Sequence, residues 1–72
     1  MKSLSSFVKE KRRLTGLTQE EFADRAGVAL TVIRKIEQGK DTLNMSSVNQ
    51  VLLMFGNVLA PVSKIEIEKD LI

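Results

Sequence analysis

The 72-residue chain has no cysteine, histidine, tryptophan or tyrosine, and a single proline. Without cysteine it can form neither a disulfide nor a thiolate metal site, a composition that suits the reducing cytosol. Without histidine or cysteine, general acid–base work falls to Asp, Glu or Lys, and no carboxylates gather in a pocket-like setting. No P-loop, dinucleotide fingerprint or metal-ligand spacing occurs, and so short a chain rarely builds a concave pocket. The expectation is a protein that is not an enzyme, with no cofactor, no metal and no small-molecule substrate. No apolar run approaches the ~20 residues of a membrane span, and the N-terminus lacks a signal-peptide hydrophobic region. A cytoplasmic protein with no membrane partner is therefore expected.

What is present is a mostly aliphatic interior, with 43% hydrophobic residues and only three Phe as aromatics. A chain of this length is one domain near the lower limit for a self-supporting core, and such chains often gain stability by oligomerising. The net charge of +2 is unevenly spread. Residues 1–40 hold nine Lys/Arg against five Asp/Glu, and residues 41–72 hold two against four, so +4 and −2 recover the total. A basic N-terminal half is the footprint of phosphate binding. An ordinary solvated helical surface is the alternative that charge alone leaves open.

Local signals divide the chain into four helices. Ser3 can cap a first helix to about Thr15, with Leu4, Phe7, Val8, Leu14 and the stem of Lys11 on its buried side. Gly16 ends it. Thr18 opens a second helix with Glu21 three positions on, the spacing of a capping box, and Leu17 before the cap can act as a staple. Phe22, Ala23 and Ala26 form the inner face of this helix. Gly27 makes a turn and Val28 plugs the angle before a third helix from about Leu30 to Gln38, with Ile33 and Ile36 inward and Gly39 as its stop. Asn44 caps a fourth helix over about Met45–Phe55, with Val48, Val51, Leu52 and Phe55 as core. Beyond Gly56-Asn57 the β-branched residues and the alternation Ile65-Glu66-Ile67-Glu68 suggest extended structure. Pro61 denies one ladder donor, so a strand there lies on an edge. A lone strand cannot satisfy its own backbone, so its partner is the tail folded back or the same tail of a second chain.

Two segments together carry a resemblance. Gly16-Leu17-Thr18-Gln19-Glu20-Glu21-Phe22-Ala23, followed by Gly27-Val28 and Ile33-Arg34-Lys35-Ile36-Glu37-Gln38-Gly39-Lys40, resembles the phage-repressor/Cro-like (XRE) helix-turn-helix family over about residues 4–56. The resemblance implies an all-α, compact four-helix lambda-repressor-like domain over residues 1–57. Residues 58–72 would then be a strand and tail that pair across a homodimer. It implies a double-stranded DNA operator as partner, with the third helix in the major groove. Thr18 and Gln19 would meet a phosphate at the second helix's positive end, where a plain exposed helix former is the alternative for Gln19. By family position Ala29, Leu30, Thr31, Arg34 and Lys35 form the base-reading surface. Arg34 suits guanine O6/N7, Thr31 a base edge or thymine methyl, and Leu30 only a methyl. Ala29 and Leu30 depart from the polar residues usual there, and Leu30 packing on a neighbouring protein is the alternative. Lys40 and Asn44 would be further phosphate contacts, and Lys9, Arg13 and Thr42 weaker ones, with ordinary solvated polar residues as the alternative for all five. Arg12 and Glu37 match a structural ion pair of related domains.

The fourth helix ending in Phe-Gly, with a short strand at Val58, Leu59, Ala60, Pro61 and Val62 as dimer interface, is most similar to the antitoxin of Hip-type toxin–antitoxin modules (HipB-like). That likeness implies an autoregulating repressor that also binds a HipA-like kinase toxin. The alternatives are a stand-alone XRE-type regulator and a protein-interaction module that keeps the fold.

Overall fold

In a computed structural model, residues 3–61 and 63 are described. They form four helices: α1 (Leu4–Thr15), α2 (Gln19–Ala26), α3 (Leu30–Glu37) and α4 (Met45–Leu53). Each start has a local cause. Ser3 Oγ accepts from the Ser6 N–H at 3.1 Å, and Asn44 Oδ1 from the Ser47 N–H at 3.2 Å. Thr18 and Glu21 form the full capping box, with side chain to backbone distances of 3.1 and 3.0 Å. The Glu21 carboxyl is held below its ordinary pKa, first by the Thr18 backbone N–H and then by the Thr18 hydroxyl. Only α3 lacks a side-chain cap, because Ala29 occupies that position.

The core is aliphatic with one buried ring. Val8 of α1, Phe22, Ala23 and Ala26 of α2, Ile33 and Ile36 of α3, and Val48, Val51 and Leu52 of α4 are all buried. Leu17 and Val28, the staple and the plug, pack half-buried against this cluster, as does Val32, which the pattern did not single out. Phe55 lies beside Phe22 with centroids 5.8 Å apart and meets Phe7 edge-on at 6.2 Å. Lys11 Nζ sits 5.6 and 6.0 Å from the Phe7 and Phe55 centroids, so its stem is shielded while its charge faces two rings.

Four expectations need correction. Leu14 is 74% exposed, not buried. At 3.6 residues per turn it lies about 120° around α1 from Val8, at the far edge of the apolar face and in the last turn. Helix α4 ends at Leu53 and not at Phe55. The next three residues tighten into i→i+3 bonds, 3.0–3.2 Å long, from Met54, Phe55 and Gly56 to Val51, Leu52 and Leu53, which swings Phe55 onto the core. Helix α3 ends at Glu37, with Gln38 as its cap and Gly39 in the left-handed region at φ 73°. Among the described residues no strand occurs: 58–61 run without regular structure, and Val62 lies outside the described residues. No helix among the described residues is long and apolar enough to cross a membrane.

Candidate nucleic-acid interface

Helices α2 and α3 are joined by a turn at Gly27 (φ 73°), whose N–H closes back on Ala23 and Asp24 carbonyls while the Val28 N–H reaches the Ala23 carbonyl at 3.1 Å. A non-glycine residue is strained at that angle. From this turn α3 runs with Ile33 and Ile36 inward, which leaves Thr31, Arg34 and Lys35 exposed along its other side, with Ala29 exposed just before it. Leu30 behaves differently from its neighbours. It is half-buried against the core cluster, because it precedes Ile33 by three residues and so shares the apolar side of α3. The outward surface is therefore Ala29, Thr31, Arg34 and Lys35, and Leu30 belongs mainly to the interior.

Beside that surface lies the start of α2. An open polar depression of about 550 Å³ is lined by Arg12, Thr18, Gln19, Glu20 and Arg34. The capping box uses the Glu21 N–H, while the N–H groups of the two residues before it have no carbonyl within the helix to reach. Arg34 from α3 and the positive end of α2 thus share one hollow, an arrangement suited to an anion.

Beneath it sits Glu37, whose side chain is only 4% exposed. Arg12 grips it with two donors, Nε to Oε2 at 2.6 Å and Nη2 to Oε1 at 3.0 Å, while Nη1 donates to the Leu17 carbonyl at 3.0 Å. Gln19 Nε2 adds a third bond to Oε1 at 3.2 Å, and Ser5 Oγ donates to the Glu37 backbone carbonyl at 2.7 Å. Burial pushes the Glu37 pKa up, but the bonds from Arg12 and Gln19 and the nearby positive charges outweigh it, and the net direction is down. The same hydrogen bond raises the Arg12 pKa, against a smaller effect of burial. The pair therefore stays ionised and ties α1, the α1–α2 loop and α2 to the last turn of α3. Gln19 is accordingly half-buried and tethered, with one Nε2 proton left over, and not a plain exposed helix former.

Lys40 and Asn44 are exposed but lie outside this hollow. The Asn44 side-chain oxygen is committed to its cap, and Lys40 lines a separate shallow recess with Ser3, Ile36, Asp41 and Leu43. At the opposite end of the chain Val58, Leu59 and Ala60 border an apolar groove of about 530 Å³ with Leu4, Phe7 and Leu52. Pro61 is exposed beyond it. The Leu59 N–H donates to Asn49 Oδ1 at 2.7 Å, which fastens the start of the tail to α4. Sequence reasoning missed the roles of Ser5, Asn49 and Gln50. Each is an exposed-looking polar residue in a helix, and only the packing of a distant backbone against it gives it a partner.

A family model described as helix-turn-helix matches residues 8–56, more than half of the chain. The chain belongs to the XRE-type helix-turn-helix family, a family of DNA-binding regulators. No curated protein and no solved structure is significantly similar to it. In this helix-turn-helix domain α2 and α3 are the two helices of the motif, and α1 and α4 are the frame that holds them.

Proposed function

We propose that this helix-turn-helix regulator is a transcriptional repressor that binds a palindromic operator as a homodimer in the cytoplasm. Residues 1–57 are the DNA-binding unit and residues 58–72 the dimerising tail. The observation that carries the reading is the hollow shared by Arg34 and the N-terminus of α2, beside the exposed Thr31 and Lys35. A phosphate at Thr18 and Gln19 fixes the register of the domain on the duplex, and Thr31, Arg34 and Lys35 then face base edges. Ala29 adds only an apolar contact. Lys40 and Asn44 contact backbone flanking this centre. One such helix covers few base pairs, so two-fold pairing that sets two of them about 34 Å apart supplies the missing affinity. The apolar groove bordered by Val58, Leu59 and Ala60 supports the tail as the pairing segment. With that tail, the repressor reads as an autoregulating antitoxin whose second partner is a HipA-like kinase toxin.

The test is selection of duplexes from a random pool, followed by mobility shifts on the selected and a scrambled sequence over a range of salt. The reading expects a clear preference and an affinity that falls steeply as salt rises, since several phosphates are neutralised. Equal binding of both duplexes at physiological salt would favour an interaction module that has kept the fold. Co-purification with a kinase encoded beside it would bear on the antitoxin reading separately.

A further inference from the structure

Gln50 lies on α4, does not line the hollow and is not among the residues assigned above to DNA. Its Nε2 donates one proton to the Ala26 carbonyl and the other to the Gly27 carbonyl, each at 3.0 Å. These two acceptors are the last carbonyl of α2 and that of the turn glycine. The turn's own cap uses the Ala23 and Asp24 carbonyls, so both side-chain bonds onto Ala26 and Gly27 among the described residues come from Gln50. Contact is close: a Cβ on Gly27 would lie 2.8 Å from Gln50 Nε2. We infer that Gln50 is a positioning residue for the reading helix, setting the α2–α3 turn from α4 and thereby the specificity of DNA recognition. This rests on the reading that the outward surface of α3 meets base edges.

The chemistry singles out the carboxamide. Asn is one methylene too short, and Glu and Met match its length but lack the two donors. Glu would also set a negative charge against two carbonyl oxygens at the negative end of α2. Lys restores donors and suits a helix C-terminus. Because Gln50 and its bond to Gly27 are exposed, water replaces the lost donor on that carbonyl, so these variants fold. What they lose is a fixed turn. Along the chain the α2 N-terminus precedes that turn and Arg34 follows it, so freedom there blurs base readout before it weakens phosphate contact.

The experiment compares wild type, Gln50→Met, Gln50→Glu and Gln50→Lys in the full chain. Binding is measured on the wild-type-selected duplex and on its scrambled counterpart, and amide exchange at Gly27 and Val28, whose N–H groups are hydrogen-bonded in the turn, is measured in the free protein. The expected result is a selected-to-scrambled affinity ratio about ten-fold lower in the Met and Glu variants, the scale of one good base contact. Scrambled binding and helicity stay unchanged, amide exchange at the turn quickens, and Lys restores both the ratio and the protection. An unchanged ratio, or a fall in both affinities by one factor, overturns the assignment. Unchanged exchange overturns it on the free protein alone. If wild type prefers no duplex while exchange still responds to Gln50, the DNA-reading proposal is what has failed, and the specificity role falls with it.

Discussion

Glu37 holds a negative charge where water reaches little of it, and partners from α1 and α2 surround it. Removing one side of a buried ion pair leaves the other charge stranded, at a cost of about 3–5 kcal/mol when burial is complete. Arg12 is 17% exposed at its side chain, which places Arg12→Ala near the lower end, about 3 kcal/mol, measured by urea unfolding at neutral pH. The pair also sets an acid limit. The folded pKa of Glu37 lies below that of the unfolded chain, so its stabilisation is complete at pH values above the ordinary Glu value of about 4.3. It is lost as pH falls from there through the lowered folded value. Arg12, whose pKa moves up, stays charged throughout this range. Wild-type stability should therefore decline below about pH 4.3, whereas Arg12→Ala should decline less over the same interval. Parallel acid curves for the two proteins would contradict the pairing.

At the scale of elements, α3 is the helix with a missing part. Ala29 gives it no side-chain cap, whereas Ser3, Thr18 and Asn44 cap the other three. Ala29→Ser should raise stability by about 1 kcal/mol through a new bond to the first turn. Ala29→Asp should also stabilise the fold, yet weaken duplex binding by setting a carboxylate beside the phosphates; thermal melts and mobility shifts separate the two effects. If both variants leave stability unchanged, the N-cap of α3 is not limiting.

These elements were largely legible in the sequence because caps and glycine stops are local chemistry. Ser3, Thr18-Glu21 and Asn44 act within three residues of themselves, and Gly16, Gly27 and Gly39 adopt left-handed angles where the pattern places turns. Leu14 was misplaced, and Leu30 is half-covered where an outward position was expected, for a different reason. Whether an apolar residue at the edge of a helical stripe is covered depends on how far the neighbouring helix extends, and periodicity does not encode that. The Arg12–Glu37 pair was readable only by resemblance, since its members are 25 positions apart. Its third member Gln19, and the reach of Gln50 to the turn, follow from the crossing of helices and carry no local signal.

At the scale of the whole molecule, the polar hollow lined by Arg12 and Arg34 and the apolar groove lined by Leu4, Phe7 and Leu52 share no residue. Exposed Leu53, Met54, Val58 and Leu59 belong to the end of α4 and the start of the tail. In the proposed dimer this exposed apolar surface is where the partner's tail packs. Truncation after Asn57 should leave the four helices folded, convert a dimer to a monomer in sedimentation equilibrium, and weaken operator binding far more than binding to a single half-site. A truncated chain that still sediments as a dimer would remove the tail from the interface.

The claim on which the rest depends is that Arg34 reads a base from α3 while the α2 N-terminus holds a phosphate. The most direct measurement is the affinity of wild type and Arg34→Ala for the selected duplex and its scrambled form, at matched salt and with helicity and sedimentation monitored. Arg34→Ala is expected to bind the two duplexes nearly alike while keeping the helicity and sedimentation of wild type. Undiminished preference for the selected duplex in Arg34→Ala would contradict it.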